Sequence, residues 1–262
     1  MGSATGSGVT LQGTLLNHQH TTSAVAKQVK ELDNLTYTGI PYILGEANSL
    51  FKEGAPGLSN TFGAALWGVD FNLWCASVGI RRVHMHQGTS YRYASWQPIQ
   101  ATKAVIGTKP PYYGNIAVAA MLGNLLKGDV QILNIELTTT AEAAYAAYVD
   151  GKLARILVIN MNEYNYTVGG QLGAAPNPVE RPSNTYSFSL NQTSGTAHIQ
   201  RLLANGSDAL SGITWDGYSY NYELDNGKPV KMKNVTVGET AKISGGVVHV
   251  SVPDSSIAML NF

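Results

Sequence analysis

The hydrophobic rhythm of this chain changes once, near Gly128, and that change limits the folds open to it. Before Gly128, apolar runs of strand length alternate with segments of helical period. LQGTLLNH reads as a short strand or strand end. TTSAVAKQVKELDNL then places Ala24, Val25, Val29 and Leu32 at helical spacing, with Thr22 or Ser23 as N-cap and Gly39 as the breaker. IPYILG reads as a buried parallel strand. LSNTFGAALWGVDFNLWCASVG reads as a long apolar helix capped by Ser59 or Asn60 and stopped at Gly79, and IRRVHMHQG as the next strand. NIAVAAMLGNLLKG is a last helix, ending at Gly128. Alternation of this kind builds βαβ units on a parallel sheet. After Gly128 the runs shorten to VQILNIEL, AAYAAYVDG, LARILVINMN, TYSFSLN, AHIQRLL, KNVTVGE and GGVVHVSVP, separated by Gly, Asn and Asp. Short, regular strands of this kind make an antiparallel sandwich. The expected fold is therefore α/β over residues 1–128 and all-β over 129–262. Two or three parallel strands fit before Gly128, whereas a closed (β/α)₈ barrel needs eight strands in typically about 250 residues. The first part is either a small open sheet or a portion of a larger domain.

Composition narrows the partners. The chain has 262 residues, 44% apolar and 13% charged, with zero formal net charge and a pI near 7.0. A nucleic-acid or anionic-membrane partner calls for a basic surface, so neither is expected. The longest apolar stretch is interrupted by Asp70 and Asn72, so no membrane-spanning helix is expected. Cys75 is the single cysteine, which excludes an intrachain disulfide and reads as an inert core thiol. MGSATGSGVTLQG lacks the basic and apolar segments of a signal peptide and reads as a flexible Gly/Ser stretch. Asn-x-Ser/Thr sequons occur at Asn34, Asn165, Asn191, Asn205 and Asn234. No Walker loop, G-x-S-x-G elbow or Rossmann fingerprint is present.

Glu46 has the strongest claim to chemistry. It ends an apolar strand and opens into a loop of Asn, Ser and Gly, where strand-based enzymes hold reactive groups. Glycoside hydrolysis uses a pair of carboxylates flanking the scissile bond. Asn48 and Ser49 can bond sugar hydroxyls, and Phe51, Tyr91, Tyr93 and Trp96 can stack on a ring. The plainer alternative is an acid facing solvent, with the aromatics packed between loops and core. His84 and His86 share a strand face, but no third zinc ligand stands at a suitable spacing, and they read as hydrogen-bonded at a sheet mouth. His18 and His20 read as solvated or capping near a helix start, and His198 and His249 as structural. Asn162–Glu163 reads as a turn and Asp150–Gly151 as a hairpin turn. Asp70 reads as a non-catalytic helix residue.

The stretch GEANSLFKEGAPGLSNTFGAALWGVDFNLWCASVGIRRVHMHQGTSYRYASWQP resembles the family 79 glycoside hydrolases, the β-glucuronidases and related heparanases, in their fungal secreted branch. The resemblance runs from Val9 to Phe262, through GTKPPYYGNIAVAAMLG into the β-rich tail. It implies a retaining mechanism on a (β/α)₈ barrel followed by a C-terminal β-sandwich. Residues 1–128 would supply about strands six to eight with their helices, and 129–262 the sandwich. The family's nucleophile lies in a G-E-x-x-S context, which places it on Glu46. The substrate carboxylate would meet Tyr93 or Tyr91 and loop N–H groups near Gly54, with Asn48 on the sugar. Two departures stand out. Relatives commonly carry a tyrosine where this chain has Phe51, and the family's strand-four acid/base glutamate has no counterpart here. The resemblance implies no cofactor and no metal. It implies a glucuronide-type carbohydrate substrate, a missing N-terminal half of the barrel as partner, and an extracellular location. Three readings follow: the C-terminal segment of a retaining β-glucuronidase-like hydrolase, inactive alone; a non-catalytic truncated protein whose sandwich serves as a carbohydrate-binding or interaction module; or one chain of a two-chain enzyme.

Overall fold

The computed structural model describes residues 8–102, 104–170 and 175–262; the Gly/Ser reading of residues 1–7 lies outside them. Where a first strand was expected at LQGTLLNH, the chain makes a π-helical turn over Leu11–Leu15. Leu11, Leu15 and Leu16 all reach the core from it, a spacing that a helical turn puts on one side and a strand would split between faces. Helix α1 (His18–Leu35) starts earlier than Thr22, because the Asn17 side chain accepts from the His20 N–H at 3.0 Å and caps it. Strands β1 (Ile43–Ala47) and β2 (Arg82–Met85) run parallel, joined through helix α2 (Phe62–Ser77). They are the whole parallel sheet among the described residues. Both outer edges are therefore open, and β1 is largely exposed rather than buried.

The start of α2 is held from a distance. Thr61 stands at its N-cap without a side-chain bond, and the Phe62 and Gly63 N–H groups donate to the carbonyls of Ala209 (2.8 Å) and Ser207 (2.7 Å). Ser59 and Asn60, the expected caps, instead bind Ala55 N and Gly57 N inside the preceding loop. Two-residue strands β3 (Trp96–Gln97) and β4 (Gly107–Thr108) pair ahead of helix α3 (Pro110–Leu122). The helix ends at Gly123, short of Gly128, because Gly123 takes a φ of +66° that leaves the helical path. Helices α2 and α3 touch closely. A Cβ added at Gly114 would lie 2.6 Å from the Ala65 carbonyl oxygen.

The remaining strands form one antiparallel sheet of eleven strands among the described residues. In chain order they are β5 (Val130–Ile135), β6 (Glu142–Val149), β7 (Lys152–Asn160), β8 (Ser183–Ser189), β9 (Ser194–Leu203), β10 (Thr214–Trp215), β11 (Tyr218–Ser219), β12 (Val230–Lys231), β13 (Glu239–Ser244), β14 (Val247–Pro253) and β15 (Ser256–Asn261). A one-turn helix α4 (Tyr222–Asp225) lies between β11 and β12. The spatial order is β12-β11-β10-β9-β15-β7-β6-β5, with β13, β14 and β8 continuing from β9. The turn at Asp150–Gly151, with φ of +50° and +76°, closes the β6–β7 hairpin as its sequence implies. KNVTVGE is a turn rather than a strand, and β13 begins only at Glu239. SIAMLN, which was not expected as a strand, is β15, between β7 and β9.

Strict alternation divides the sheet's side chains between two cores. Tyr145, Leu157, Ile159, Ile257 and Met259 pack on the helices. Ala144, Ile156, Val158, Ala258 and Leu260 pack against Tyr186, Phe188, Val248 and Val250 from β8 and β14. Asp70 of α2, a charged group, is fully buried. It accepts from the Tyr145 hydroxyl (2.6 Å) and pairs with His18 Nδ1 (2.8 Å). His18 is thus the bonded partner of a buried acid rather than a solvated cap. Burial pulls its pKa down, but the hydrogen bond and charge of Asp70 push it further up, and the net effect is a raised value. Burial and the same acid raise the Tyr145 phenol well above its usual range.

Candidate functional site

The pairing of β1 with β2 slips beside Glu46. Leu44 opposes Val83 and Ala47 opposes Met85, so Gly45 and Glu46 together face the single residue between. A bulge of this kind re-aims the side chain it carries. The Glu46 side chain ends up 74% exposed, 3.7 Å from His86 Nδ1. His86 lies just past the end of β2, where its N–H donates to the Ala47 carbonyl at 2.8 Å. Its Nδ1 is 2.8 Å from the Tyr93 hydroxyl. Carboxylate, imidazole and phenol therefore stand in one row.

The row lines a cleft of about 510 Å³ that also meets Asn48, Phe51, Glu53 and Tyr91. Tyr91 closes one side, 5.4 Å from His86 and 5.7 Å from Tyr93 between ring centroids. Gly88 makes this possible, since a Cβ there would lie 2.4 Å from the Tyr91 ring. Phe51 projects into the cleft with 64% of its surface exposed. Tyr93 is buried, and burial raises its pKa, helped by Tyr91 and the charges of Glu46 and Glu53.

Four of the six residues singled out from sequence, Glu46, Phe51, Tyr91 and Tyr93, face this cleft with their side chains or rings. Asn48 also borders it, but its amide donates to the His86 carbonyl at 2.8 Å and its oxygen accepts from Ser49 N, so it braces the loop. Gly54 stands behind the cleft. Its φ of +82° follows Lys52 and Glu53 at +56° and +66°, and a Cβ on it would lie 3.1 Å from the Tyr93 ring. Three successive left-handed residues are held there by Arg92 N–H, which donates to the Glu53 carbonyl at 2.7 Å. Trp96 packs on Tyr222 instead of the cleft. His84 is exposed and does not line the cleft. Among the described residues no three His, Cys, Asp or Glu side chains converge as a metal site. Glu163 binds Gln12 N (2.9 Å) and Asn165 Nδ2 (2.7 Å), a latch between the first turn and the end of β7. Sequence reasoning missed the His86–Tyr93 bond and the second carboxylate, Glu53. The HMH and SYRY motifs carried the types but not the pairing.

Residues 144–259 match the glycosyl hydrolase family 79 C-terminal beta domain. A β-glucuronidase of Aspergillus niger is 55% identical across the whole chain, which covers 49% of that protein. One of Neurospora crassa is 51% identical over 89% of the chain, which covers 46% of it. The chain thus spans about half the length of the curated relatives it matches. Among solved structures, a 4-O-α-L-rhamnosyl-β-D-glucuronidase from Fusarium oxysporum shares the fold over the full chain, with a TM-score of 0.79, 24% identity and 51% of its own length covered. A family 51 arabinofuranosidase from Xanthomonas axonopodis matches 92% of the chain at a TM-score of 0.56 and 16% identity, with 46% of its own length covered. Residues 144–259 are thus similar to the glycosyl hydrolase family 79 C-terminal beta domain, and the chain resembles curated β-glucuronidases along its whole length.

Proposed function

We propose that the cleft at the mouth of β1 is the glycone side of a retaining β-glucuronidase-type active site, with Glu46 as its nucleophile. In this reading residues 1–128 are the last part of a (β/α)₈ barrel and 129–262 its β-sandwich domain. The observation that carries it is the bulged, exposed Glu46 beside the His86–Tyr93 pair. The Glu46 carboxylate would attack the anomeric carbon while the glycosidic oxygen leaves, forming a glycosyl ester that water later cleaves. Tyr93 and Tyr91 would meet the uronate carboxylate, with His86 fixing the Tyr93 hydroxyl. A second carboxylate must protonate the leaving oxygen, a step typically worth about 10² to 10⁴ in rate. That group would come from an N-terminal half, in keeping with the half-length match to the relatives. An extracellular site of action accords with four exposed sequons, Asn34, Asn191, Asn205 and Asn234; Asn165 is tied to Glu163 and Ser207.

The test joins this chain to the N-terminal portion of the Aspergillus relative. The chain alone should hydrolyse no aryl glucuronide, and the joined protein should do so. A 2-deoxy-2-fluoroglucuronyl fluoride should then label Glu46, found by peptide mass mapping. Labelling of Glu53 or Glu163 instead, or activity surviving Glu46→Gln, would overturn the assignment.

A further inference from the structure

A second cavity, of about 390 Å³, lies beside the same Tyr91–Tyr93 segment, and it gathers positive charge. Tyr91 and Tyr93 line the cleft, whereas Arg92 between them lines this cavity with Lys109. The Lys109 ammonium donates to the Tyr91 carbonyl at 2.7 Å, which pins it next to Arg92 along the chain. Lys109 has further N–H donors beyond that one. Among the described residues the Arg92 guanidinium has no hydrogen-bond or ion-pair partner, although it is half-buried. Burial, and then the charge of Arg92, lower the pKa of Lys109, so the two cations repel. Glu223 borders the cavity from α4, near Gly107, yet makes no ion pair within 4.0 Å with either cation. Among the described residues that line the cavity, two positive charges stand against one negative. The same cavity is also lined by the exposed apolar side chains of Val105 and Leu210.

We infer that this cavity is an oxyanion subsite that takes the carboxylate or sulfate of an acidic sugar unit, held by Arg92 and Lys109, with the ring against Val105 and Leu210. The chemistry follows from the wall. A planar guanidinium and an ammonium on one cavity wall supply donors for the oxygens of one oxyanion. An arriving anion removes their mutual repulsion, and the apolar side suits the face of a sugar ring. The site needs nothing from Glu46, so it stands or falls apart from the proposed active site. It also touches the cleft, because Arg92 N–H holds the Glu53 carbonyl and Lys109 holds that of Tyr91.

The experiment is equilibrium dialysis of the 262-residue chain against radiolabelled inorganic sulfate at fixed ionic strength in chloride. Sulfate suits the purpose because the exposed Glu46 carboxylate repels it from the cleft. One saturable sulfate per chain is expected, displaced by sodium glucuronate and not by glucose. Arg92→Gln and Lys109→Gln should each weaken it at least tenfold, since each removes a charge-assisted contact. Glu223→Gln should tighten it, an outcome that misfolding cannot imitate. Non-saturable uptake only, unchanged sulfate binding in Arg92→Gln, or failure of glucuronate to displace sulfate would each overturn the inference.

Discussion

Replacing His18 by alanine tests whether the buried Asp70 works as half of an ion pair. Asp70 accepts at 2.6 Å from Tyr145 and at 2.8 Å from His18, and its Oδ2 has no partner among the described residues. A hydrogen bond to a charged group contributes about 1.5–3 kcal/mol, and unpairing a fully buried charge costs about 3–5 kcal/mol. The His18 side chain keeps 19% of its surface exposed, so water can partly replace it, and a loss of about 2 kcal/mol is expected at pH 5.5. The pH dependence is the sharper test. Because the folded pKa is raised above the ordinary 6.5, the ionic share of the pair is full below that value. It disappears as pH climbs through the folded pKa. Urea unfolding in dilute solution at pH 5.5 and 8.5 should give a larger difference between His18→Ala and the unaltered chain at the lower pH. Asp70→Asn should remove that pH dependence. An equal difference at both pH values, or a larger one at 8.5, would mean that His18 is neutral in the fold and acts by packing on Trp74, whose ring centroid is 5.5 Å away.

Three further outcomes are expected. In the joined enzyme described above, Phe51→Tyr should raise the kcat/KM ratio of aryl glucuronide over glucoside by at most about tenfold to a hundredfold; an unchanged ratio would mean that position 51 does not read the carboxylate. Gly114→Ala should destabilise the chain by about 1–3 kcal/mol through the close α2–α3 contact, and a thermal midpoint equal to that of the unaltered chain would contradict the packing. Amides of residues 36–47 should exchange with deuterium well before those of β7 and β15, since Tyr37 and Ile40 are exposed and β1 has one partner strand; open edges of this kind also favour self-association. Equal protection would refute this.

Local pattern was enough for much of the architecture. Helix α2, the two parallel strands and most of the antiparallel strands follow from apolar period, and the β6–β7 turn follows from Asp150–Gly151. The cleft was legible too, because Glu46, Phe51, Tyr91 and Tyr93 sit in motifs whose spacing a strand mouth brings together. What escaped depends on partners far along the chain. LQGTLLNH has strand-like composition, and only burial of Leu11, Leu15 and Leu16 in a core built later chooses the helical turn. Asp70 looked like a polar interruption of α2, since His18 and Tyr145 lie far from it in sequence. The cap of α2 comes from carbonyls at Ser207 and Ala209, which no capping motif encodes. SIAMLN is apolar on both faces and too short for a clear period, so its central place was invisible.

That placement of β15 bears on how the chain is made. The strand lies between β7 and β9 and completes both cores. During synthesis β5, β6 and β7 can pair as a meander soon after they leave the ribosome, but β9 has no route to them until residues 256–261 have emerged. The nascent sheet therefore waits as two unjoined pieces, each with an apolar edge, until residues 256–261 join them. A chaperone that shields the unpaired β7 edge until β15 arrives should then raise the yield of folded chain.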